Sequence, residues 1–460
     1  MRFGNITIGG MSLGSTRIGG AKLGNTLVYQ SGGSPAYKRL PDGYTELAYV
    51  GTDSHAFVGT GVSGATDLEI IVRFSIETYV QYAAIYGNYI DESYNYNRAI
   101  LASSTSLYVA GGSNQSQAVT NFSTYQLHTL SVKSTEAYLE GTKTSVTAAQ
   151  KTANTKEICL GNRCTDNPSF RDTGLRIFAF CIKKAGSVIL NYVPCKRDSD
   201  SFVGFYDLAS NSFVYSLTGT SFTAGPAAVY SGRMLKCLSW AGTNDPYASN
   251  WYEPIAHQYW TLSNATHGSD YYEFANSTPS SVSQYATLSG KLPDLGNHWK
   301  IVVDLAVRMQ SNNPSIFCPI DFGSMGTTAN NTCATGITLN SSGYWGVSSK
   351  FNGNSSSSTY SGAGDYHIDA ETISTSLVWV RRTVEIGVRA SSTTGKDETY
   401  IAVYGKGYAK SSTPYTPVRF NRWNTPMYIA RSLTNPSSSY PYATSARIYS
   451  IDVYYEPFIV

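Results

Sequence analysis

The chain has 460 residues, a net charge of +3 and only 14% charged residues, well below the roughly 25% of an average soluble protein. Charge this sparse and balanced excludes a basic platform for duplex nucleic acid, and no run of about 18 apolar residues is present to insert into a membrane as a helix. With 36 Tyr, 41 Gly and abundant Ser, Thr and Asn, the composition suits pleated sheet, where aromatic and β-branched residues pack well, rather than helical bundles.

The first thirty residues repeat. Phe3-Gly4-Asn5-Ile6-Thr7-Ile8-Gly9-Gly10 returns as Leu13-Gly14-Ser15-Thr16-Arg17-Ile18-Gly19-Gly20, then as Leu23-Gly24-Asn25-Thr26-Leu27-Val28. Each copy is expected to hold one short strand and one Gly turn, too little to bury its own apolar side. Three copies are too few for a free-standing solenoid. Segment 1–30 therefore reads as an attachment or oligomerisation peg, with a homo-trimer favoured. Phe3, Leu13 and Leu23 are equivalent positions, as are Ile8, Ile18 and Val28. These six are the expected assembly residues, lining a shared interior or lying against a receiving protein. The competing reading is an arm that orders only on docking. The N-terminus lacks the apolar segment of a signal peptide, so synthesis in a cytoplasm is expected.

Residues 31–39, with Ser31-Gly32-Gly33-Ser34-Pro35, read as a linker. Residues 40–229 form the first expected globular unit, with strand-like runs at 46–50, 68–74, 81–86, 125–132, 175–182, 187–192, 202–206 and 212–215. Gly225-Pro226 and Ser231-Gly232 bracket a boundary. The second unit, 233–460, has its clearest runs at 299–309, 377–390, 398–404, 427–430 and 447–455, and a Ser/Gly-rich loop at 352–364. In the last run Ile448, Ser450, Asp452 and Tyr454 alternate with Tyr449, Ile451, Val453 and Tyr455, which predicts a half-buried strand with the second set inward. All seven Trp follow residue 230, so the two units differ in core or surface. The fold class expected is all-β: a short N-terminal β-repeat peg followed by two antiparallel β-sandwich (jelly-roll) domains.

Residues 40–52, Leu-Pro-Asp-Gly-Tyr-Thr-Glu-Leu-Ala-Tyr-Val-Gly-Thr, followed by Ala56-Phe-Val-Gly-Thr-Gly-Val62, resemble the opening of laminin-G/concanavalin-like jelly-roll domains. Asn191-Tyr-Val-Pro-Cys-Lys-Arg-Asp198, Val203-Gly-Phe-Tyr-Asp207 and Gly219-Thr-Ser-Phe-Thr-Ala-Gly-Pro226 resemble that family's terminal hairpins. The likeness covers about 40–229, under half the chain. The decapeptide repeat is similar to the N-termini of bacteriophage virion appendage proteins: head fibres, decoration proteins and tail fibres. The combination implies a virion-surface structural protein that docks on a capsid or tail protein by its N-terminus and presents its sandwiches to host or environmental glycans. The alternatives are a tail-fibre receptor-binding protein, a carbohydrate-binding adhesin of a gut bacterium and, further off, a polysaccharide depolymerase.

Catalytic signals are weak, and no enzyme, cofactor or metal is expected. Asp67 and Glu69 share a strand face, but Ile71 breaks the series, and Asp91 and Glu92 are adjacent; glycoside hydrolysis needs two carboxylates facing across a cleft. Asp365, His367 and Asp369 have metal-like spacing but also the alternation of any exposed strand. His55, His128, His257, His267 and His298 are scattered without a neighbouring nucleophile. The seven Cys, unevenly spaced, read as buried thiols, although Cys159 with Cys164 and Cys318 with Cys333 could approach each other on neighbouring strands. Aromatics beside turns are the best ligand signal. Tyr344 and Trp345, and Arg422 and Trp423, are the candidate glycan-binding residues, since a flat ring stacks on a sugar's apolar face; core packing is the competing role.

Overall fold

The computed structural model describes the chain from Lys38 to Pro457 except for segments of which the longest are 89–97, 146–155, 162–173, 276–284, 323–333, 352–360, 415–426 and 430–444, together with the backbone of six short strands before residue 31. The described residues contain no helix; the fold is all-β with antiparallel sheets throughout.

Each N-terminal decapeptide is a hairpin rather than the single strand expected. Arg2–Phe3 pairs with Ile6–Thr7, Ser12–Leu13 with Thr16–Arg17, and Gly20–Leu23 with Thr26–Gln30. The pairs Phe3↔Ile6, Leu13↔Thr16 and Leu23↔Thr26 close around the Gly-Asn or Gly-Ser dipeptide of each repeat, and such dipeptides favour two-residue hairpin loops. Phe3, Leu13, Leu23 and Val28 thus lie on strands. Ile8 and Ile18 lie outside the described residues.

Strands from Tyr44 to Ala224 build two facing sheets. The larger runs in the order Thr142–Ser145, Glu136–Leu139, His128–Val132, Leu68–Ile76, Leu175–Lys184, Ser187–Arg197, Val203–Asp207, Ser212–Tyr215. The smaller runs Gln117–Thr120, Ser106–Ala110, Arg98–Ser103, Ala84–Gly87, Glu157–Leu160, Val58–Ser63. Strands far apart in sequence lie side by side, as Leu68–Ile76 does between His128–Val132 and Leu175–Lys184. This interleaving is that of a jelly roll rather than of an up-and-down meander. Ile70, Val72, Phe74, Ile177 and Phe180 from one sheet meet Ile85, Leu101, Leu107, Ile158 and Leu160 from the other in one core. Asp207 fixes the turn after its strand by accepting from the Asn191, Ala209 and Ser210 amides, at 2.8, 3.0 and 3.2 Å.

Strands from Tyr230 to Tyr455 build the second sandwich. Its larger sheet runs Tyr230–Ser231, Met234–Ala241, Ser445–Tyr455, Trp299–Arg308, Val380–Ala390, Asp397–Val403, Gly407–Lys410. Trp240, Trp260, Trp299 and Trp345 are fully buried in its core, which explains why Trp is confined to this half. The alternation read from 447–455 holds only in part. Asp304 pairs with Ser450 but Leu305 with Ile448, so a bulge leaves Tyr449 over and reverses the phase. Ile451 and Val453 point inward as expected, but Ile448 is also buried and Tyr449 is half-buried, under the Arg381 guanidinium at 3.4 Å from its ring.

The two sandwiches meet through an apolar contact. Ala48, Tyr49, Leu127 and Phe178 of the first pack with the core of the second. The connection is pinned by a Leu47↔Ala227 bridge and by Ala228 N–H donating to the Glu46 carbonyl at 2.9 Å. Arg73, buried, stacks its guanidinium on Tyr455 at 3.9 Å. Cys181, Cys195 and Cys237 are the buried thiols expected, and burial pushes the first two up to about 12. Cys159 corrects the reading of all seven as thiols, because it is disulfide-bonded. Its strand ends at Leu160, and Gly161, at φ +88°, turns the chain sharply just beyond.

Candidate functional site

Of the four glycan candidates, Trp345 alone has a described side chain. Trp345 is fully buried on the strand Tyr344–Phe351, so its ring offers no face to a ligand; the turn-borne aromatic belongs to the core. Arg422 and Trp423, and the side chain of Tyr344, lie outside the described residues. Asp365, His367 and Asp369 fall on the strand Ser361–Thr372, their side chains outside the described residues, as are Asp91 and Glu92. Glu69 is engaged by the Ser131 hydroxyl at 3.1 Å and by Lys133 at 3.7 Å. The hollow between the sandwiches, lined by Arg39, Arg73, Phe178 and Tyr455 among others, encloses about 20 Å³, room for one water and not for a sugar.

The outer face of the second sandwich's larger sheet carries a denser constellation. Inward positions of its strands are apolar: Trp299, Ile301 and Val303; Val384, Ile386 and Val388; Ile401 and Val403. Period-two alternation sends Lys300, Glu385, Arg389, Glu398, Tyr400, Tyr404, Tyr408 and Tyr454 to the other side. Gly387 sits in the middle of this face, opposite both Lys300 and Tyr400. A Cβ there would lie 2.5 Å from the Trp299 carbonyl and 3.0 Å from the Tyr400 hydroxyl, so Tyr400 lies down over the glycine and is only 5% exposed. Gly387→Val is expected to lower stability by about 1–3 kcal/mol through overpacking and to lift Tyr400. An unchanged urea midpoint in the variant would contradict this packing.

Two carboxylates organise the face. Glu385 accepts from Tyr400 and Tyr404 hydroxyls, both at 2.7 Å, and from Lys300 at 3.2 Å. Glu398 accepts from Arg389 Nε at 2.9 Å and from Lys410 at 2.6 Å. Arg389 also donates to the Tyr408 hydroxyl at 2.6 Å and lies 5.0 and 5.3 Å from the Tyr400 and Tyr408 ring centres. Burial alone would raise Glu398, but hydrogen bonds from Lys410 and Arg389 outweigh it and hold the carboxyl below its ordinary range. Burial, with the nearby Glu385 carboxylate, pushes the Tyr400 and Tyr404 phenols well above theirs. At neutral pH the phenols stay protonated and the charges are paired, while Tyr404 and Tyr408 remain 54% and 46% exposed. The result is a platform in which two carboxylates hold three cations, with two proud rings held by their hydroxyls. Such rings can stack on an apolar ligand face while their neighbours donate and accept around it.

At the end of the same sheet His298 stands between two carboxylates. Nε2 lies 3.0 Å from Asp397 Oδ1 and Nδ1 lies 2.5 Å from Glu456 Oε2. An ionised carboxylate only accepts, so both contacts favour the doubly protonated ring. Burial opposes that charge, but the two hydrogen bonds outweigh it and hold the histidine above its ordinary range. A second buried pair, His128 with Glu140 at 2.9 Å, lies in the first sandwich. Neither was legible in the sequence, because no local spacing marks it.

No protein-family model matches the chain, and no curated protein does. Among solved structures it is similar to domains LG4-5 of the mouse laminin alpha1 chain, at 11% identity over 89% of each chain, with a TM-score of 0.23. It is similar to peanut lectin at 9% identity over 42% of this chain and 90% of the lectin, TM-score 0.26. It is also similar to Trypanosoma rangeli sialidase in complex with sialic acid, at 10% identity over 78% of this chain and 57% of the sialidase, TM-score 0.31. The all-β sandwich assignment rests on the strands and sheets themselves.

Proposed function

We propose that this chain is a structural subunit of a bacteriophage particle, a head-fibre or decoration-type appendage. It docks by its N-terminal repeats on a capsid or tail protein, and its two sandwiches face outward from the virion surface toward host or environmental glycans. What supports this reading is the joining of three tandem hairpins, each too small to bury its own apolar side, to a pair of β-sandwiches in mutual contact. The repeats require partners, and the sandwiches supply a platform of fixed, exposed rings. The platform of Tyr404 and Tyr408 takes the place of the turn-borne aromatics as the glycan-facing surface. The proposed role is adhesion without turnover. Copies gathered by the repeats turn weak sugar contacts into firm attachment by avidity.

The particle assignment is tested by immunogold labelling of purified virions with antibody to the second sandwich. Labelled particles support it; a protein confined to the bacterial cell surface overturns it in favour of an adhesin. The repeats are tested separately. Replacing Ile8 and Ile18 with Asp is expected to abolish incorporation into particles while the thermal melt of the sandwiches stays in place. Normal incorporation of that double variant would remove the peg from the account.

A further inference from the structure

The outer face of the first sandwich's larger sheet carries an apolar strip that is only half covered. Val193, Cys195 and Tyr206 lie buried there with Leu40, from the segment by which the chain enters the sandwich. The Tyr44 ring, from the same segment, sits 4.9 Å from Tyr206 and 5.6 Å from Phe213. Phe213 and Tyr215 extend the strip as a stacked pair 6.2 Å apart, and Phe202 adds a third ring 5.8 Å from Tyr215. Phe202 and Tyr215 are 47% and 54% exposed. The strand that bears them, Ser212–Tyr215, is the last of its sheet and is paired on one side only among the described residues. Nothing along Ser212-Phe213-Val214-Tyr215-Ser216-Leu217 is charged. Natural edge strands are ordinarily blunted by Lys, Pro or a covering segment.

We propose that this aromatic edge is a contact surface between adjacent copies of this chain. It rests on the reading that the repeats gather copies together. The chain reaches the sandwich from the repeats beside the patch, at Lys38 to Tyr44, and the seven residues 31–37 span at most about 25 Å when fully extended. Copies held together at their repeats therefore carry their aromatic edges within reach of one another, at a high effective concentration. The chemistry fits a like surface. Exposed Phe and Tyr with a stacked Arg are the residues enriched at protein interfaces. Arg197 lies 4.8 Å over Phe213, and its charge is closed by Asp200 through Nε–Oδ1 at 3.0 Å and Nη2–Oδ2 at 2.5 Å. This pair thus brings no net charge of its own to the contact with an identical partner.

The test uses the full chain with a photo-crosslinking phenylalanine analogue in place of Tyr215, and the same analogue at Tyr404 as a control site. Mass and crosslinks are read together by light scattering and peptide mapping. The expected result is an oligomer in which the probe at 215 links to a second copy and the probe at 404 does not. An oligomer without links from 215 overturns this inference and leaves the gathering role of the repeats standing. Links from 215 to a second copy in a chain without the repeats would keep the surface and remove that role. A monomer without links, or links only to the repeats of the same copy, overturns the inference. Phe202→Asp with Tyr215→Asp, both at exposed positions, is expected to weaken association of the full chain by about tenfold or more; unchanged association with an unchanged melt also overturns it.

Discussion

Replacing His298 with alanine is expected to lower the stability of the second sandwich by about 3 kcal/mol. The imidazolium ties three elements: it precedes the strand Trp299–Arg308, holds Asp397 at the start of the strand Asp397–Val403, and holds Glu456 just past Ser445–Tyr455. Asp397 is 2% exposed, so loss of the ring strands a buried carboxylate. The same geometry sets a pH dependence with a definite sign. The folded histidine lies above its ordinary value, so it binds its proton more tightly folded than unfolded. Its contribution is complete below the unfolded value of about 6.5 and is lost as pH rises through the higher folded value. Denaturant midpoints measured from pH 6 to 9 should therefore decline more steeply for the parent chain than for His298→Gln. Parallel declines would show that the contacts of His298 do not depend on its charge.

Tyr404→Ala with Tyr408→Ala is expected to abolish detectable adhesion of assembled copies to a glycan surface while leaving the fold intact. Each exposed ring is worth about 0.5–1.5 kcal/mol in stacking, so a single site loses roughly tenfold. An assembly bound through several copies compounds that loss, and the drop becomes a hundredfold or more. Both rings are about half exposed, so the melt should hardly move. A glycan array probed with parent and variant reads the effect; equal signals from the two would place the glycan surface elsewhere on the protein.

The fold class was legible because short β-rich runs and Gly/Asn turns are local signals. The run at 212–215 is the strand Ser212–Tyr215, and that at 299–309 is Trp299–Arg308 with one residue fewer. What failed was anything that depends on pairing. Tyr449 looked inward by alternation, but a bulge set by the neighbouring strand put it outside. Trp345 looked like a turn-borne ring, yet its strand buries it. The second arm of each hairpin leaves little trace in the sequence because it is only two residues long in the first two copies. The tyrosine platform was invisible for a different reason. Glu385 meets Tyr400 and Tyr404 only through cross-strand register, and His298 reaches partners 99 and 158 residues away. Trp confinement to the second half, by contrast, pointed correctly to a difference between the two cores.

In the proposed function the N-terminal hairpins gather copies of the chain. Light scattering of the full chain beside a chain beginning at Ser34 tests it most directly. A trimer is expected for the first and a monomer for the second, with the sandwiches folded in both. Equal masses for the two chains would contradict it: two monomers would leave the repeats to a separate receiving protein, and two oligomers would move assembly to the sandwiches.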